Sequence, residues 1–468
     1  MIVWNFLIYL TGWPLALLLF LGGLYFTVRM KFPQFKFFLE SIRIVNEKPL
    51  NNNSISSFGA LMISTASRVG TGNIVGVSTA ICIGGPGAVF WMWVVAIIGG
   101  ASAFVESTLA QIYKKKDHEG GSYGGPAYYI EAALHNRSLA IIFVILLIFT
   151  YAVGYNMLAS YNIQSVFSSY KFYNRNFAII IGTLFALIFL YLVLGGGKRL
   201  VKIIEFIVPI MGSLYIFMSI IALILNFRNV PNMFYMIFKN AFDLKAIFSG
   251  FSGSCLMYGF KRGLFSNEAG IGSAPNAAAA ASVSHPVKQG FVQMLSVFID
   301  TLLICSATAF MGLSSGVKPE ANLAGAPFIQ AALSKTFGNI GPIFIIIAML
   351  LFGLTTLLGN FYYIENALAY LLNKIPSKRF MFLIRVIGAV LIFFGAIIPF
   401  DIAWNVADIC QCVLAGINIP VCATLGVFVY RALDNYIAQR YNSNNNNNEL
   451  KFNAKKDSGV KEETDFWK

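Results

Sequence analysis

Two glycine-rich interruptions, each inside a long apolar run and one in each half of the chain, constrain the fold more than any other feature of the sequence. The first is Arg68-Val69-Gly70-Thr71-Gly72-Asn73, inside a run from about 58 to 83. The second is Gly263-Leu264-Phe265-Ser266-Asn267-Glu268-Ala269-Gly270-Ile271-Gly272, inside a run from about 242 to 281. A helix broken within a bilayer exposes backbone N–H and C=O groups that lipid cannot satisfy, so such breaks persist only where protein buries them or where they line a wet cavity. A matched pair, one per half, points to the binding site of a secondary transporter.

Composition places these runs in a membrane. Of 468 residues, 57% are hydrophobic and 12% charged, and the mean hydropathy is +0.70. A hydrocarbon core of about 30 Å needs roughly 20 helical residues. Eleven segments meet that length: 4–29, 58–83, 87–113, 139–168, 177–194, 202–226, 242–281 (broken), 287–315, 340–371, 381–398 and 402–432. The first lacks the basic n-region and small-residue cleavage site of a signal peptide and is expected to remain as a span. Seventeen Lys and Arg fall in loops on one face and seven on the other. The positive-inside rule therefore puts the C-terminus in the cytoplasm and the N-terminus outside, in the cell's inner (plasma) membrane. The net charge of +14 follows from that orientation and from anionic lipid at the inner surface, with no need for nucleic acid.

With the N-terminal span (1–30) set aside, ten spans remain. They divide into two groups of five, 58–226 and 242–432, each opening with its broken helix. An odd number of spans per group inverts the second relative to the first. The expected fold is an all-α polytopic membrane protein with a LeuT-like 5+5 inverted repeat and one extra N-terminal span. The six cysteines all fall in spans and read as small apolar core residues, since Cys410-x-Cys412 lacks the second ligand pair of a zinc site. Residues 433–468 form a cytoplasmic tail; from Tyr441 on, with its Asn444–Asn448 run, it reads as disordered and dispensable for transport.

The chemistry of the breaks follows from their backbone. A half-helix that begins near Gly70 presents free N–H groups and the positive end of its dipole, and Gly70 and Gly72 let a carboxylate approach closely. Thr71 and Asn73 add side-chain donors. Carbonyls from Ala66 to Val69, having lost their helical partners, suit a hard monovalent cation or a ligand ammonium. The second break offers carbonyls around Phe265, Ser266 and Asn267 to a ligand amino group. A carboxylate bound at one half-helix and a cation at the other describe a zwitterion carried with an ion. The competing reading is that the glycines only allow close helix packing. Glu268 is expensive at mid-membrane and is either a coupling carboxylate or a partner for Arg68. Glu106, Glu205, Asp300, Glu365 and Asp408 pose the same question. Thr355 and Thr356 in the ninth span either complete a sodium site begun near Ala66 or bond back to their own helix.

Four long motifs carry a family resemblance: residues 67–77, Gly84-Gly85-Pro86-Gly87-Ala88-Val89-Phe90-Trp91-Met92-Trp93, Gly124-Gly125-Pro126-Ala127-Tyr128-Tyr129, and residues 263–275. In this order they resemble the alanine or glycine:cation symporter family, over about residues 10–435. The resemblance implies sodium- or proton-coupled uptake of a small neutral amino acid, by a monomeric transport unit without an enzyme cofactor. It implies substrate contacts from Thr71, Gly72 and Asn73, and a cation, Na+ or H+, near Thr355 and Thr356. Family members often carry Gln at the position of Ala159 and Trp at that of Asn360. The substitutions here imply a pocket wider and more polar than one built tightly around alanine, which a larger amide side chain, as in glutamine or asparagine, fits better.

Three other classes compete. A LeuT-type carrier of a different organic substrate lacks these four motifs. A membrane enzyme calls for paired acids or a histidine cluster near one interface, whereas His118, His135 and His285 fall in separate loops. A channel filter comes in a symmetric ring and does not call for a second, different break.

Overall fold

Within hydrocarbon, a helix satisfies every backbone group from inside one segment, and long unbroken helices dominate the computed structural model. It describes residues 2–50, 54–117, 121–243, 254–373, 376–441, 450–462 and 464–467. Residues 244–253 of the seventh expected span, His118, and the Asn444–Asn448 run lie outside the described residues.

A short helix, Ile2–Leu10, leads into α1 (Trp13–Arg29). The first break separates α2 (Ser57–Arg68) from α3 (Thr71–Thr79). Then come α4 (Ala88–Ile112), α5 (Arg137–Phe149), α6 (Asn156–Ser165), α7 (Arg175–Val193) and α8 (Gly197–Leu225). The second break separates α9 (Cys255–Asn267) from α10 (Ala274–Ala280). It is followed by α11 (Val287–Phe298), α12 (Ser306–Ser314), α13 (Ile340–Leu372), α14 (Lys378–Gly395) and α15 (Phe400–Tyr441). Among the described residues eight helical stretches are long and apolar enough to cross a membrane; each broken span is too short in its separate halves, and the expected span 381–398, here Lys378–Gly395 with Lys378, Arg379 and Arg385, is not among the eight. Short helices between the spans escaped the hydropathy reading, among them Phe38–Val45, Pro126–Leu134, Val230–Ala241 and Ala326–Phe337.

Small residues set the packing, as expected where lipid gives helices no hydrophobic reason to associate. A Cβ on Gly100 of α4 would meet the Phe298 ring at 2.9 Å, and one on Gly290 of α11 would meet Phe104 at 2.7 Å. Gly359 of α13 sits as closely on the backbone of α2, where a Cβ would lie 2.6 Å from the Ser67 nitrogen. The two broken elements are thus enclosed by α4, α11 and α13. Three π-helical turns, Ala80–Gly84, Thr150–Tyr155 and Ile299–Cys305, interrupt the surrounding spans. Such turns collect at functional sites, and sequence patterning does not register them.

The expectation of a disordered tail does not hold for its described part. Helix α15 runs on to Tyr441. Beyond the undescribed stretch, Phe452, Ala454, Val460 and Trp467 are buried. The Trp467 indole N–H donates to the Gln111 carbonyl at 2.6 Å, and Phe452 packs on His285 with ring centroids 4.7 Å apart. Aromatic anchors, sparse in a charged segment, supply the apolar area that composition averages away.

Candidate functional site

The first break is built from local chemistry. Ser56 caps α2 by accepting the Gly59 N–H. At the other end Val69 N–H closes the last turn on Thr65, Gly70 is extended, and α3 restarts at Thr71. The Gly70 N–H donates to Asn73 Oδ1 at 2.8 Å, and Asn73 N–H donates to the Gly70 carbonyl at 3.1 Å. Both N–H groups that helical geometry would send to Ala66 and Val69 are therefore engaged elsewhere, which leaves those two carbonyls without their i+4 partners. The glycines are explained by close approach rather than by backbone angle. The Thr356 hydroxyl lies directly on Gly70, and a Cβ on Gly72 would sit 2.6 Å from the Phe265 ring.

The second break is longer and is held from outside. Glu268, Gly270 and Gly272 all have positive φ, at 52°, 86° and 88°. Glu106 on α4 accepts the Gly270 and Gly272 N–H groups at 3.4 and 3.1 Å. Asn418 on α15 donates to the Gly270 carbonyl at 2.9 Å and to Glu106 at 2.7 Å, and is itself oriented by the Tyr129 hydroxyl. The Glu268 carboxylate accepts hydroxyls from Ser67 at 3.2 Å, Tyr151 at 2.9 Å and Ser273 at 2.8 Å.

The breaks meet at Asn73. Its amide Nδ2 donates to Ser266 Oγ at 3.1 Å and to Asp300 Oδ1 at 2.7 Å, while Ser266 donates to Asp300 Oδ2 at 2.7 Å. Cys305 is within 3.0 Å of the Ser266 hydroxyl. On the neighbouring side Asn162 of α6 donates to the Thr71 hydroxyl at 3.0 Å, while its own Oδ1, fully buried, has no hydrogen-bond partner among the described residues. Toward the Phe400 end of α15 the site is covered by Phe265, whose ring lies 4.9 Å from both Tyr155 and Trp404. Arg262 stacks 4.0 Å over Trp404 and pairs with Asp408 through two contacts of 3.3 and 3.2 Å.

The structure therefore brings Gly70, Thr71, Gly72, Asn73, Phe265, Ser266 and Thr356 together, and separates others. The Thr355 hydroxyl bonds to the Leu351 and Phe352 carbonyls and faces Met211 on α8, away from the break. Thr356 also bonds back to Phe352, yet faces Gly70. Asn267 lines a cavity of about 10 Å³, near the size of one water, between α1, α4 and α9. Asn360 is held by Ser67 at 2.6 Å and Asn156 at 2.9 Å, so its amide is not free to face a ligand. Ala159 is buried on α6, but the polar α6 residue that reaches the break is Asn162. The suggested Arg68–Glu268 pair is not a direct contact. Arg68 donates to the Gln293 carbonyl at 3.3 Å, and its Nε and Nη2 have no hydrogen-bond partner among the described residues. Glu365 and Asp408 are paired, with Arg385 and Arg262.

Sequence reasoning missed Asn162, Tyr151, Tyr155, Cys305, Trp404 and the roles of Glu106 and Asp300. A polar residue in an otherwise apolar span was the available signal for most of them.

A family model described as the sodium:alanine symporter family matches residues 2–451. The amino-acid carrier protein AlsT of Bacillus subtilis is 42% identical over 429 residues, covering 92% of this chain and 90% of that one. GlnT of the same organism, described as a probable sodium/glutamine symporter, is 42% identical over 428 residues, covering 91% and 88%. A sodium/proton-dependent alanine carrier protein of Bacillus sp. strain PS3 is 34% identical over 417 residues, covering 85% and 92%. Among solved structures, MhsT in complex with L-phenylalanine superposes with a TM-score of 0.55 at 17% identity, covering 81% of this chain and 90% of that one. At that identity the match establishes the LeuT-like fold alone.

Proposed function

We propose that this chain, which belongs to the sodium:alanine symporter family, couples entry of a monovalent cation to uptake of a small neutral amino acid by alternating access. The observation that carries this reading is the Asn73 amide, which caps the Gly70 N–H and ties that break to Ser266 of the other. The substrate carboxylate faces the N–H groups at Gly70–Gly72, with Thr71 and Asn73 beside it, and its amino group faces the backbone around Phe265 and Ser266. Sodium sits against the Ala66 and Val69 carbonyls and the Thr356 hydroxyl. Phe265, Tyr155, Trp404 and the Arg262–Asp408 pair form the closure on the outer side. In this reading residues 58–226 and 242–432 are the two repeats, the N-terminus is outside and the C-terminus cytoplasmic. The monomer is the transport unit, lipid is its surroundings, and the chain catalyses no covalent reaction.

Alanine or glycine is the first substrate reading. The unpartnered Asn162 Oδ1 beside Thr71 favours a second one. A buried acceptor without a donor costs about 1–3 kcal/mol, and the side-chain amide of glutamine or asparagine supplies that donor. The test is radiolabelled uptake into proteoliposomes under an inward sodium or proton gradient, with alanine, glycine, glutamine and asparagine. Sodium-driven alanine or glycine uptake supports the first reading, and glutamine or asparagine uptake with little alanine the second. No gradient-driven uptake of any of the four overturns both.

A further inference from the structure

We infer that the outer face of α1 and the two short helices after it form a binding site for an anionic phospholipid, with Arg29 and Lys36 on its phosphate. The inference needs only that the chain spans a membrane, and it does not depend on what the chain carries.

Helix α1 ends at Arg29, and the chain then turns through Lys31 and Phe32, both left-handed at φ 60° and 61°. Two consecutive residues other than glycine rarely adopt that conformation, because Cβ crowds the following carbonyl. The corner is pinned by Met30, which is fully buried, and by the Phe32 N–H on the Thr27 carbonyl at 2.8 Å. Helices Pro33–Lys36 and Phe38–Val45 follow directly, so they lie where α1 leaves the hydrocarbon. Their faces are inverted for a segment in water. The buried side carries Gln34, Glu40 and Ser41, and the exposed side carries Phe35, Phe38, Leu39 and Ile42. Leu39 is 78% exposed and Phe35 65%. The polar groups are engaged inward: Gln34 donates to the Thr27 hydroxyl at 2.8 Å and to the Ile97 carbonyl at 3.2 Å, and Glu40 accepts the Tyr436 hydroxyl. Large apolar side chains turned outward at this depth meet the boundary between headgroups and acyl chains.

The outer face of α1 continues that surface. Leu21, Leu24, Tyr25, Val28 and Arg29 line a shallow groove of about 510 Å³. Their spacing of i, i+3, i+4, i+7 and i+8 is one stripe of a helix, about 12 Å long. One leaflet contributes half of a hydrocarbon core of about 30 Å, so the groove follows an acyl chain for most of its depth. At its polar end stands Arg29, 5.8 Å over the Tyr25 ring, and Lys36 is exposed just past the corner. Among the described residues neither cation has an ion-pair partner. The cations beside them are already engaged: Lys31 with Asp434 at 3.3 Å, and Arg43 with Glu40 at 2.6 Å and Glu47 at 3.2 Å. Two unneutralised cations at the head of an apolar groove match a phosphodiester above its acyl chain. A soluble anion leaves the groove uncovered, and a zwitterionic lipid brings an ammonium that competes for its own phosphate.

The site reaches the second break through α1. A Cβ on Gly22 would lie 2.7 Å from the Ile419 side chain of α15, and one on Gly23 would lie 3.0 Å from the Ile98 carbonyl of α4. These are the two spans that supply Asn418 and Glu106 to the second break. Lipid on the outer face of α1 therefore holds that span against both of them.

The experiment is native mass spectrometry of the purified full chain in detergent, titrated with phosphatidylglycerol or with phosphatidylcholine of the same acyl chains. Wild type is expected to take up one phosphatidylglycerol about ten times more tightly than phosphatidylcholine. Arg29→Gln combined with Lys36→Gln should bring the two lipids level. The control, Lys171→Gln with Arg175→Gln, removes two exposed cations next to the start of α7 and should keep the preference. Lys36→Gln alone leaves the charge at the end of the span and should weaken phosphatidylglycerol about threefold, covering the case in which the double variant fails to insert. Equal binding of both lipids to wild type overturns the site. A preference that survives in the double variant, or in Lys36→Gln at full strength, overturns it as well and moves the anionic lipid elsewhere on the basic face. Displacement of the bound lipid by millimolar sn-glycerol 3-phosphate also overturns it, since the headgroup alone would then suffice and the groove would hold no acyl chain.

Discussion

The two breaks interrupt helices in the two halves of the chain, yet they are built on opposite principles. The first is one extended glycine, capped by a side chain three residues away, and its geometry is local. The second runs over several residues of positive φ and has its N–H and C=O groups satisfied from α4 and α15. A locally capped break keeps its shape when its neighbours move. A break held by two other spans changes shape when either of them shifts. In an alternating-access cycle the first suits a constant substrate and ion receptor, and the second suits a hinge.

The largest effect that sharpens this comparison is expected at Asn73. Asn73→Ala leaves the Gly70 N–H and one Asp300 oxygen buried without partners, at about 1–3 kcal/mol each. Uptake should fall by about two orders of magnitude while the protein stays in the membrane. Near-normal uptake would falsify the claim that the two breaks act through this amide.

Glycine-to-alanine exchanges at the two breaks should fail for different reasons and therefore respond differently to rescue. At Gly70 the backbone is extended and tolerates alanine, but the new methyl meets the Thr356 hydroxyl. Gly70→Ala is expected to lose most sodium-driven uptake and to regain thermal stability, though not transport, when combined with Thr356→Ala. At Gly270 the new methyl has more room, 3.3 Å from Ile419, but φ is +86°. That conformation costs a residue other than glycine about 1–2 kcal/mol. Gly270→Ala should lower uptake about tenfold, and Ile419→Ala should not restore it, because the strain lies in the backbone itself. Recovery on trimming Ile419 would show that the second break is limited by space after all.

These differences also explain what the sequence disclosed. The first break is legible because its parts are neighbours: the GxG and Asn73 stand side by side in the chain. The helical, membrane-spanning character of the apolar runs was readable for a similar reason, since length and hydropathy are properties of a segment. The second break is legible only as a location. Nothing near Gly270 in sequence names Glu106 or Asn418, which arrive from spans far away in the chain. The same holds for Asn162 against Thr71, and for Asp300 against Asn73. Thr355 and Thr356 are adjacent in sequence, yet the helical rotation between them sends one toward α8 and the other toward Gly70. Tail residues from 450 on misled composition analysis, because a few aromatics among charges suffice to dock a segment that has a ready-made surface.

That surface belongs to the second break, and it gives the smallest expected effect. Carbonyls at the far end of α10 are bound by Gln111 at Ala278 and Ala281, by Ser122 at Ala279 and by Lys114 at Ala281. Trp467 bonds the Gln111 carbonyl, and Lys114 lies 3.7 Å over the Phe466 ring. The tail therefore braces the strap that holds one half of the second broken helix, whereas Ser56 caps α2 of the first from within its own segment. Trp467→Ala removes one hydrogen bond and the packing of a large ring, but a terminal segment undocks without unfolding the spans. Trypsin cleavage after Lys456 or Lys461 is expected to become about ten times faster, while sodium-driven uptake changes by less than about threefold. Unchanged cleavage would mean that the tail does not depend on Trp467 for docking. A collapse of uptake would mean that the second break depends on its tail brace as strongly as the first depends on Asn73, which would remove the contrast between a self-contained receptor and a braced hinge.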